Sequence, residues 1–508
     1  MKILSKDQVY QADKATENAE NIPSYNLMER AGGYAFQYMH QRLQGQPVPV
    51  KIFCGIGNNG GDGLVIARYF VEHQYPVDVY VVNYSDNRSK DFLLALDELK
   101  KVTRKWPQVL KSEEDLPELS REDLIVDCIF GIGINRPAPD WVQTLFVAIN
   151  KSGAYTVSID VPSGMGIDLT IKDSAVVTPT IVLTFQTPKL AFFLPESGKY
   201  INNWTVLDIG LDRDFLNSVE TQAQLIDKAE AQQMYKPRTK FSHKGTYGHA
   251  LMIAGSYGKM GAAILSCKGA LSSGAGLVTA YTTQQGVPIL QSSIPETMVL
   301  TDRYNGKFIE EIQFDLEPTV IGIGPGLGTQ KVTQKAFEQF LKANKTPLVI
   351  DADALNILSQ NEQFLDFLPK YSVLTPHPKE LERLIGAWED DFDKLKKTEA
   401  FSKKYTCVLV LKDAHTITVF DGKYYVNNTG NPGLATGGSG DVLMGIITGL
   451  IAQNYDPLTA AIFGVYLHGK AADISINHTA YEGLTASMIT EFLGQAYLDL
   501  FAKPEKEQ

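Results

Sequence analysis

Three short polar loops in the first half of the chain bring together residue types that do chemistry. Gly55-Ile-Gly57-Asn58-Asn59-Gly60-Gly61-Asp62-Gly63 offers amide and carbonyl groups with little side-chain bulk, which suits close approach to a polar ligand or a cation. Gly131-Ile132-Gly133-Ile134-Asn135-Arg136-Pro137 is a second glycine-bearing loop and adds a positive charge. Asp160-Val-Pro-Ser163-Gly164 ends a third apolar run on a carboxylate, a group that serves as general acid or base when its surroundings tune it. A helix cap is the plain alternative for Asp62 or Asp160 taken alone; three such loops in company favour chemistry. The first loop also fits GxGxxG. A dinucleotide site, however, needs bare amides facing a pyrophosphate, and Asp62 puts negative charge at the helix start where that phosphate would sit.

The second half carries Thr436-Gly437-Gly438-Ser439-Gly440-Asp441, which opens directly into the apolar stretch VLMGIITGL. Amides of a glycine run at a helix start form an anion hole, reinforced by the helix dipole, with Asp441 beside it as a candidate base. A flexible loop capped by Asp441 is the alternative. Gly322 to Gly328 (GIGPGLG, with Gly326 inside), Thr375-Pro-His377-Pro-Lys-Glu380 and Lys412-Asp413-Ala414-His415-Thr416 each close an apolar run. Singly they read as turn glycines, a proline-flanked surface histidine and a hairpin. Every Gly-Lys pair is followed by a residue other than Ser or Thr, which disfavours P-loop NTPases.

Such loops work only when rigid elements hold them, and the spacing predicts those elements. From Val50, an apolar run, a glycine turn, a helical pattern (LVIARYFVEH) and a second apolar run make a βαβ unit. The alternation continues through a strand at 124–130, a helix at 141–150 and strands at 155–159, 181–185 and 204–209. This first half is an α/β unit, a mostly parallel sheet covered by helices on both faces. After Gly210 strand signals stop, and helix-prone sequence leads to a boundary near 215–230. A second α/β series comes next, with strands at 249–254, 277–281, 320–323, 348–350, 373–374 and 408–411. Three helical patterns close it, at 441–452, 457–474 and 485–501.

The chain has 508 residues, enough for about three domains or two large ones. Hydrophobic residues make up 44% and charged residues 21%, a globular composition that excludes extended disorder. Lys and Arg total 47 against 58 Asp and Glu, a formal charge of -11, which repels nucleic acid and anionic lipid. The one basic stretch, Lys236 to Lys244, is a linker or the rim of an anionic ligand site. Four isolated cysteines read as buried thiols in a reducing compartment. The N-terminus lacks a signal-peptide core and the longest apolar run, 442–452, is too short to span a bilayer. We expect a soluble cytoplasmic protein.

In combination, NNGGDG (58–63), Asp127 in its strand with GIGINRP (131–137), and DVPSG (160–164) resemble the epimerase domain of the NAD(P)H-hydrate repair enzymes of the YjeF family. The GSGD loop resembles the anion hole of ribokinase-like kinases. Together with 322–328, 375–380 and 412–416, it resembles the ADP-dependent NAD(P)H-hydrate dehydratase. The fold implied is a Rossmann-like three-layer sandwich over 1–220 and a ribokinase-like α/β domain over 225–503. The activity implied is bifunctional. Hydrated NADH or NADPH carries a hydroxyl on C6 of the nicotinamide ring, in R or S form; one domain interconverts the two, and the other dehydrates the S form as ADP becomes AMP and phosphate.

The resemblance also implies roles. Asn58, Asn59, Gly60, Gly61, Asp62, the segment Gly131 to Pro137 and Asp160 would hold the hydrated ring, with Asp160 the acid/base group and Lys189 its helper. An ordinary exposed lysine is the alternative for Lys189. Asn59, Asp127 and Ser163 match the family's potassium ligands. A hydrogen-bonded or protonated Asp127 is the alternative there. In the second domain Asp441 would be the base and the amides of Gly437, Gly438, Ser439 and Gly440 would steady the moving phosphoryl group. Ala262, Gly326 and His377 would contact the hydrated cofactor, Lys412, Asp413, Ala414, His415 and Thr416 the nucleotide, and Mg2+ would accompany its phosphates. The family implies a homo-oligomer. Two rivals remain on sequence alone: a ribokinase-like kinase for a small alcohol fused to a nucleotide-binding regulator, and a first half that only binds.

Overall fold

In the computed structural model, which describes residues 1–502, the chain forms two compact units. One comprises Lys2–Gln222 with Asp390–Phe392, the other Ala223–Glu389 with residues 393–502.

The first unit is built on seven parallel strands: β1 (Val50–Cys54), β2 (Val77–Val82), β3 (Gln108–Leu110), β4 (Leu124–Cys128), β5 (Tyr155–Ile159), β6 (Ile181–Phe185) and β7 (Trp204–Leu207). Their order is β3-β2-β1-β4-β5-β6-β7. The strands are near-continuous apolar runs because helices cover both faces of the sheet. Helix α1 (Lys6–Glu20) precedes the sheet in the chain. On one face, α2 (Ser24–Leu43), α3 (Asn58–Glu72) and α4 (Lys90–Val102) bury Phe36, Leu64, Phe70 and Phe92 against Ile52, Val126 and Val157. On the other, α5 (Asp140–Ser152) buries Val142, Leu145 and Phe146 against Phe53 and Ile125. The chain runs outward from β1 to β3 and returns on the far side of β1 as β4, so the order reverses between β1 and β4. Open α/β sheets bind ligands beyond the carboxyl ends of their strands at such a switch point, and the loops after β1 and β4 are the first two polar loops of the sequence.

The second unit carries β8 (Ala223–Ile226), β9 (His249–Ile253), β10 (Leu277–Thr282), β11 (Met298–Thr301), β12 (Val320–Ile323), β13 (Leu348–Ile350), β14 (Val373–Leu374), β15 (Val408–Leu411), β16 (Ile417–Phe420) and β17 (Lys423–Asn427). The order is β8-β17-β16-β15-β14-β13-β12-β9-β10-β11. Strands β15 through β11 in that order are parallel, whereas β16 pairs antiparallel with both β15 and β17. Six helices bear on the polar loops of this unit: α6 (Met260–Ser272), α7 (Ala352–Gln360), α8 (Pro378–Ile385), α9 (Ser439–Ala452), α10 (Pro457–Ser475) and α11 (Ala486–Asp499). Helix α9 is apolar all round because it is enclosed, with Val442 through Ala452 buried.

Most expected elements are found within a few residues, but one expectation is corrected. The stretch after Gly210 is not free of strands: Ala223–Ile226 pairs in parallel with β17. Lys412 to Thr416 connects the antiparallel strands β15 and β16 and is therefore the turn of a hairpin. The basic stretch 236–244 comes after the helix Lys228–Met234, and none of its residues lines the cavities formed by the polar loops of either unit. The four cysteines are free and buried. Among the described residues, no helix is long and apolar enough to cross a membrane.

Candidate active sites

The carboxyl ends of β1, β4, β5 and β6 open on a cavity of about 740 Å³. Its lining includes Asn58, Asn59, Asp62, the whole of Gly131 to Pro137, and Asp160. Helix α3 begins at Asn58 with Gly57 as its N-cap, so Asp62 belongs to the second turn and caps nothing. Gly60 and Gly61 do not line the cavity. A Cβ at Gly60 would fall onto the Gly55 carbonyl oxygen, and one at Gly61 would strike the Met28 thioether. These glycines let α3 press against its neighbours, which sets Asn58, Asn59 and Asp62 at the cavity wall.

Asp160, only 8% exposed, comes after β5 in the left-handed region with φ 64°, a strained conformation for a non-glycine residue and one found at functional sites. Its carboxylate accepts hydrogen bonds from Thr184 Oγ1 and the Phe185 amide at 3.2 Å each. It is also ion-paired with Lys189 Nζ at 2.9 Å. Lys189 is 1% exposed and donates further to the Phe185 and Thr187 carbonyls; the exposed-lysine alternative is excluded. Desolvation raises Asp62 well above the usual carboxylate range, with the charges of Asp160, Asp13 and Asp91 adding to it.

Asn59, Asp127 and Ser163 converge behind this wall. Asn59 Nδ2 donates to the Phe130 carbonyl at 2.9 Å, the Phe130 amide donates to Ser163 Oγ at 2.9 Å, and Ser163 Oγ donates to Asp127. Asp127 is fully buried and also accepts from Ser158 Oγ at 2.7 Å and the Ser163 amide at 2.9 Å. Burial raises its pKa, and these hydrogen bonds oppose the rise. Asp127 thus has hydrogen-bond partners within the protein on both of its oxygens. Asn59 Oδ1, in contrast, is buried without a hydrogen-bond partner, at a cost of about 1–3 kcal/mol unless something meets it. A neutral oxygen of this kind beside a buried carboxylate fits a monovalent cation with hard oxygen ligands.

The second unit has a cavity of about 370 Å³ lined by Asp351, His377, Glu380, Lys412, Asp413, Ala414, Thr416, Gly438, Ser439, Gly440, Asp441 and His468, among others. Gly438 caps α9 with φ 89°, a backbone that favours glycine, and a Cβ there would collide with Leu265. Asp441 is the third residue of α9, beside first-turn amides that have no acceptor within the helix. Desolvation raises Asp441 to about 7; the charges of Asp351 and Asp353 add to this and Lys412 opposes it. Lys412 Nζ pairs with Asp351 at 2.7 Å. His377 caps α8: its Nδ1 accepts the Lys379 amide at 3.1 Å, and its Nε2 lies 3.3 Å from Glu380. An accepting Nδ1 leaves the proton of the neutral ring on Nε2. Glu380 is raised to about 7, chiefly by desolvation. Buried His468, lowered to about 4 by desolvation, reaches the Ser439 carbonyl at 3.1 Å.

Sequence comparison agrees with both halves. Residues 24–191 match the family profile described as YjeF-related protein N-terminus, and 250–494 the profile described as NAD(P)H-hydrate dehydratase. The bifunctional NAD(P)H-hydrate repair enzyme Nnr of Moorella thermoacetica is 34% identical over 97% of this chain and 96% of its own length. That of Coxiella burnetii is 34% identical over 92% and 93%. The chain belongs to the bifunctional NAD(P)H-hydrate repair enzyme family. Among solved structures, a Bacillus subtilis ADP/ATP-dependent NAD(P)H-hydrate dehydratase co-crystallised with ATP/Mg2+ is 30% identical, with a TM-score of 0.47, over 54% of this chain and 97% of its own.

Within this repair-enzyme chain, the structure gathers most of the residues singled out from sequence but not all. Gly60, Gly61, Asp127, Ser163, Lys189, Gly437, His415, Ala262 and Gly326 line neither cavity, Lys189 reaching its site through the ion pair with Asp160. His415 turns its Nδ1 to the Asn427 carbonyl at 3.3 Å. Gly326 and Ala262 are neighbours: a Cβ on Gly326 would lie 3.2 Å from that of Ala262. Sequence reasoning missed Tyr10 and Asp13, which line the first cavity from helix α1, and Asp351 and His468 in the second, and it quoted Glu380 without giving it a role. Asp351 comes directly after β13, so the rule that singled out Asp160 would have found it. It holds the N-cap position of α7 without making a side-chain cap bond, and its carboxylate serves Lys412 instead.

Proposed function

We propose that this chain repairs hydrated NADH and NADPH with two separate sites: the first unit epimerises the C6 hydroxyl, and the second dehydrates the S form as ADP becomes AMP and phosphate. One observation carries the reading. In a chain of this family, Asp160 and Asp441 lie in different units, each in its own cavity beyond the ends of parallel strands.

In the dehydratase cavity, Asp441 takes the proton of the C6 hydroxyl as that oxygen attacks the terminal phosphorus of the nucleotide. The new O–P bond forms while the bond to the departing AMP breaks. The amides of Gly437 to Gly440 meet the charge spreading over the phosphoryl oxygens, and Lys412 to Thr416 hold the AMP portion. The ring nitrogen's lone pair then expels phosphate from C6, and loss of a C5 proton restores the dihydropyridine. His377, with its ring fixed by the cap, would hold the hydrated ring from the cavity wall, and Ala262 and Gly326, neighbours outside that lining, would meet the part of the cofactor that extends beyond it. Magnesium would enter on the nucleotide's phosphates and offset their charge in a cavity that already holds Asp351, Glu380 and Asp441.

In the epimerase cavity, Asp160 gives or takes the oxygen's proton as the C6–O bond breaks and re-forms on the other face of the ring, and Lys189 fixes its orientation and charge. Asn58, Asn59, Asp62 and the 131–137 loop would enclose the ring. Asn59, Asp127 and Ser163 would hold potassium, which supplies a fixed positive charge behind the wall. We assign the protein to a reducing cytoplasm, in keeping with four free buried thiols, and expect a homo-oligomer as in its family.

The test is product analysis. Incubation with ADP and hydrated NADH regenerates NADH absorbance and releases AMP and phosphate, whereas a small-alcohol kinase leaves a stable phosphorylated product. Asp441→Asn abolishes dehydration and spares epimerisation, and Asp160→Asn does the reverse. Loss of both activities in either variant overturns the two-site assignment.

A further inference from the structure

The epimerase cavity holds a carboxyl group that neither reaction has yet been given a use for. Asp13 lies on α1, reaches the cavity together with Tyr10 one turn earlier, and comes from a different element than Asp160. Among the described residues its side chain makes no hydrogen bond and no ion pair, whereas Asp160 has Lys189, Thr184 and the Phe185 amide. A half-buried carboxyl without a structural partner, at the wall of a ligand cavity, is free to act on what enters.

We propose that Asp13 is a second acid-base group of the epimerase cavity, giving the proton on which the C6 hydroxyl departs as water, while Asp160 receives the proton of water adding to the opposite face.

This role deepens the epimerase reading and rests on it. Atoms and electrons balance. The ring nitrogen's lone pair forms N=C6 as the C6–O bond breaks, and the oxygen leaves with the Asp13 proton. Water then forms a new C6–O bond from the other side, the electron pair returns to nitrogen, and the excess proton passes to Asp160. One proton has moved from Asp13 to Asp160, and the reverse inversion or exchange with solvent returns it. No oxidant, reductant or co-substrate is consumed.

Inversion through a planar cation calls for one group that begins protonated and one that begins as carboxylate. The ion pair makes Asp160 the carboxylate. Asp13 is the natural acid: burial and the neighbouring charge of Asp160 raise it to about 7, with Glu17 adding and Lys189 opposing. Tyr10 and Asp62 also feel Asp13 and Asp160, Asp7 acts on Tyr10 and Asp91 on Asp62, and Arg136 lines the same cavity. An acid that titrates near the working pH is the most effective kind.

The experiment uses the full chain and hydrated NADH separated into its epimers, with interconversion followed on both sides of neutrality. Wild-type epimerisation slows as pH rises through about 7, because the acid loses its proton. Asp13→Asn lowers kcat by about 10²- to 10⁴-fold with little change in KM and removes that pH limb. Its dehydration of the S form stays at the wild-type rate, which shows that the chain is folded. Asp13→Glu recovers at least about tenfold of the lost rate and restores the limb, as a carboxyl of any length can. An Asp13→Asn variant that keeps the limb, or keeps the wild-type rate, overturns the inference and leaves the epimerase reading standing. An Asp13→Glu no better than Asp13→Asn overturns it too. A wild-type chain that interconverts nothing removes the reading, and the inference with it.

Discussion

Replacing Asp441 by Asn tests the dehydratase site through stability as well as rate. Desolvation and the charge of Asp351 raise its carboxyl from the usual 3.8 to about 7. Three pKa units correspond to about 4 kcal/mol. Solvent in the open cavity screens part of this, so about 2 kcal/mol is the expected effect. The sign follows from the raised value. Below pH 4 folded and unfolded chains both hold the proton, and the group costs nothing. Between pH 4 and pH 7 the unfolded chain releases it first, and stability falls; above 7 the full penalty is present. Asn has nearly the same shape and no proton to lose, so it relieves a penalty that exists only at higher pH.

Asp441→Asn is therefore expected to match wild type in stability near pH 4 and to exceed it by about 2 kcal/mol at pH 8. Scanning calorimetry of the full chain should show the transition of one unit raised by about 4–8 °C at pH 8, while dehydration falls by about 10²- to 10⁴-fold. Wild-type dehydration should rise with pH through about 7, as a base requires. A variant that melts like wild type at both pH values, or that dehydrates at the wild-type rate, refutes the assignment of Asp441 as a desolvated base.

Lys189→Met removes the only cation paired with Asp160 among the described residues, and breaking a buried pair costs about 3–5 kcal/mol. Denaturant unfolding should show that loss, and epimerisation should cease; a variant as stable as wild type would contradict the pairing. Potassium should raise the melting temperature of wild type but not of Asn59→Leu, and replacing it with choline should stop epimerisation alone; equal melting with and without potassium tells against the ion site. Gly60→Ala forces a Cβ onto the Gly55 carbonyl oxygen and should cost about 1–3 kcal/mol or more. Gly57→Ala, where a Cβ meets nothing within 4 Å, should be near neutral in the same unfolding assay.

What could be read in advance divides along a physical line. Strands such as Leu124–Cys128 and Val408–Leu411 are enclosed on both faces, so their local sequence is mainly apolar, Asp127 excepted, and their positions were legible. Ala223–Ile226 was not: AQLI is only four residues long and follows a polar, helix-prone stretch, and it becomes a strand because β17, two hundred positions away along the chain, offers its backbone edge. No local pattern carries that partner. The same line runs through the sites. Asn58, Gly131, Asp160 and Asp441 announce themselves because they come after apolar strands or open an apolar helix. Asp13 and Tyr10 sit inside an amphipathic helix in which a polar residue is ordinary, and only the fold turns that face toward a cavity. Gly60 shows the converse. Its place in a glycine-rich loop suggests ligand contact, yet the space its missing Cβ would fill belongs to the Gly55 carbonyl. Sequence therefore locates groups that could do chemistry; whether a given group meets solvent, ligand or backbone depends on contacts distant in the chain. The carboxylates most perturbed by such contacts, Asp13, Asp62, Glu380 and Asp441, are for that reason the ones whose removal should separate catalysis from folding.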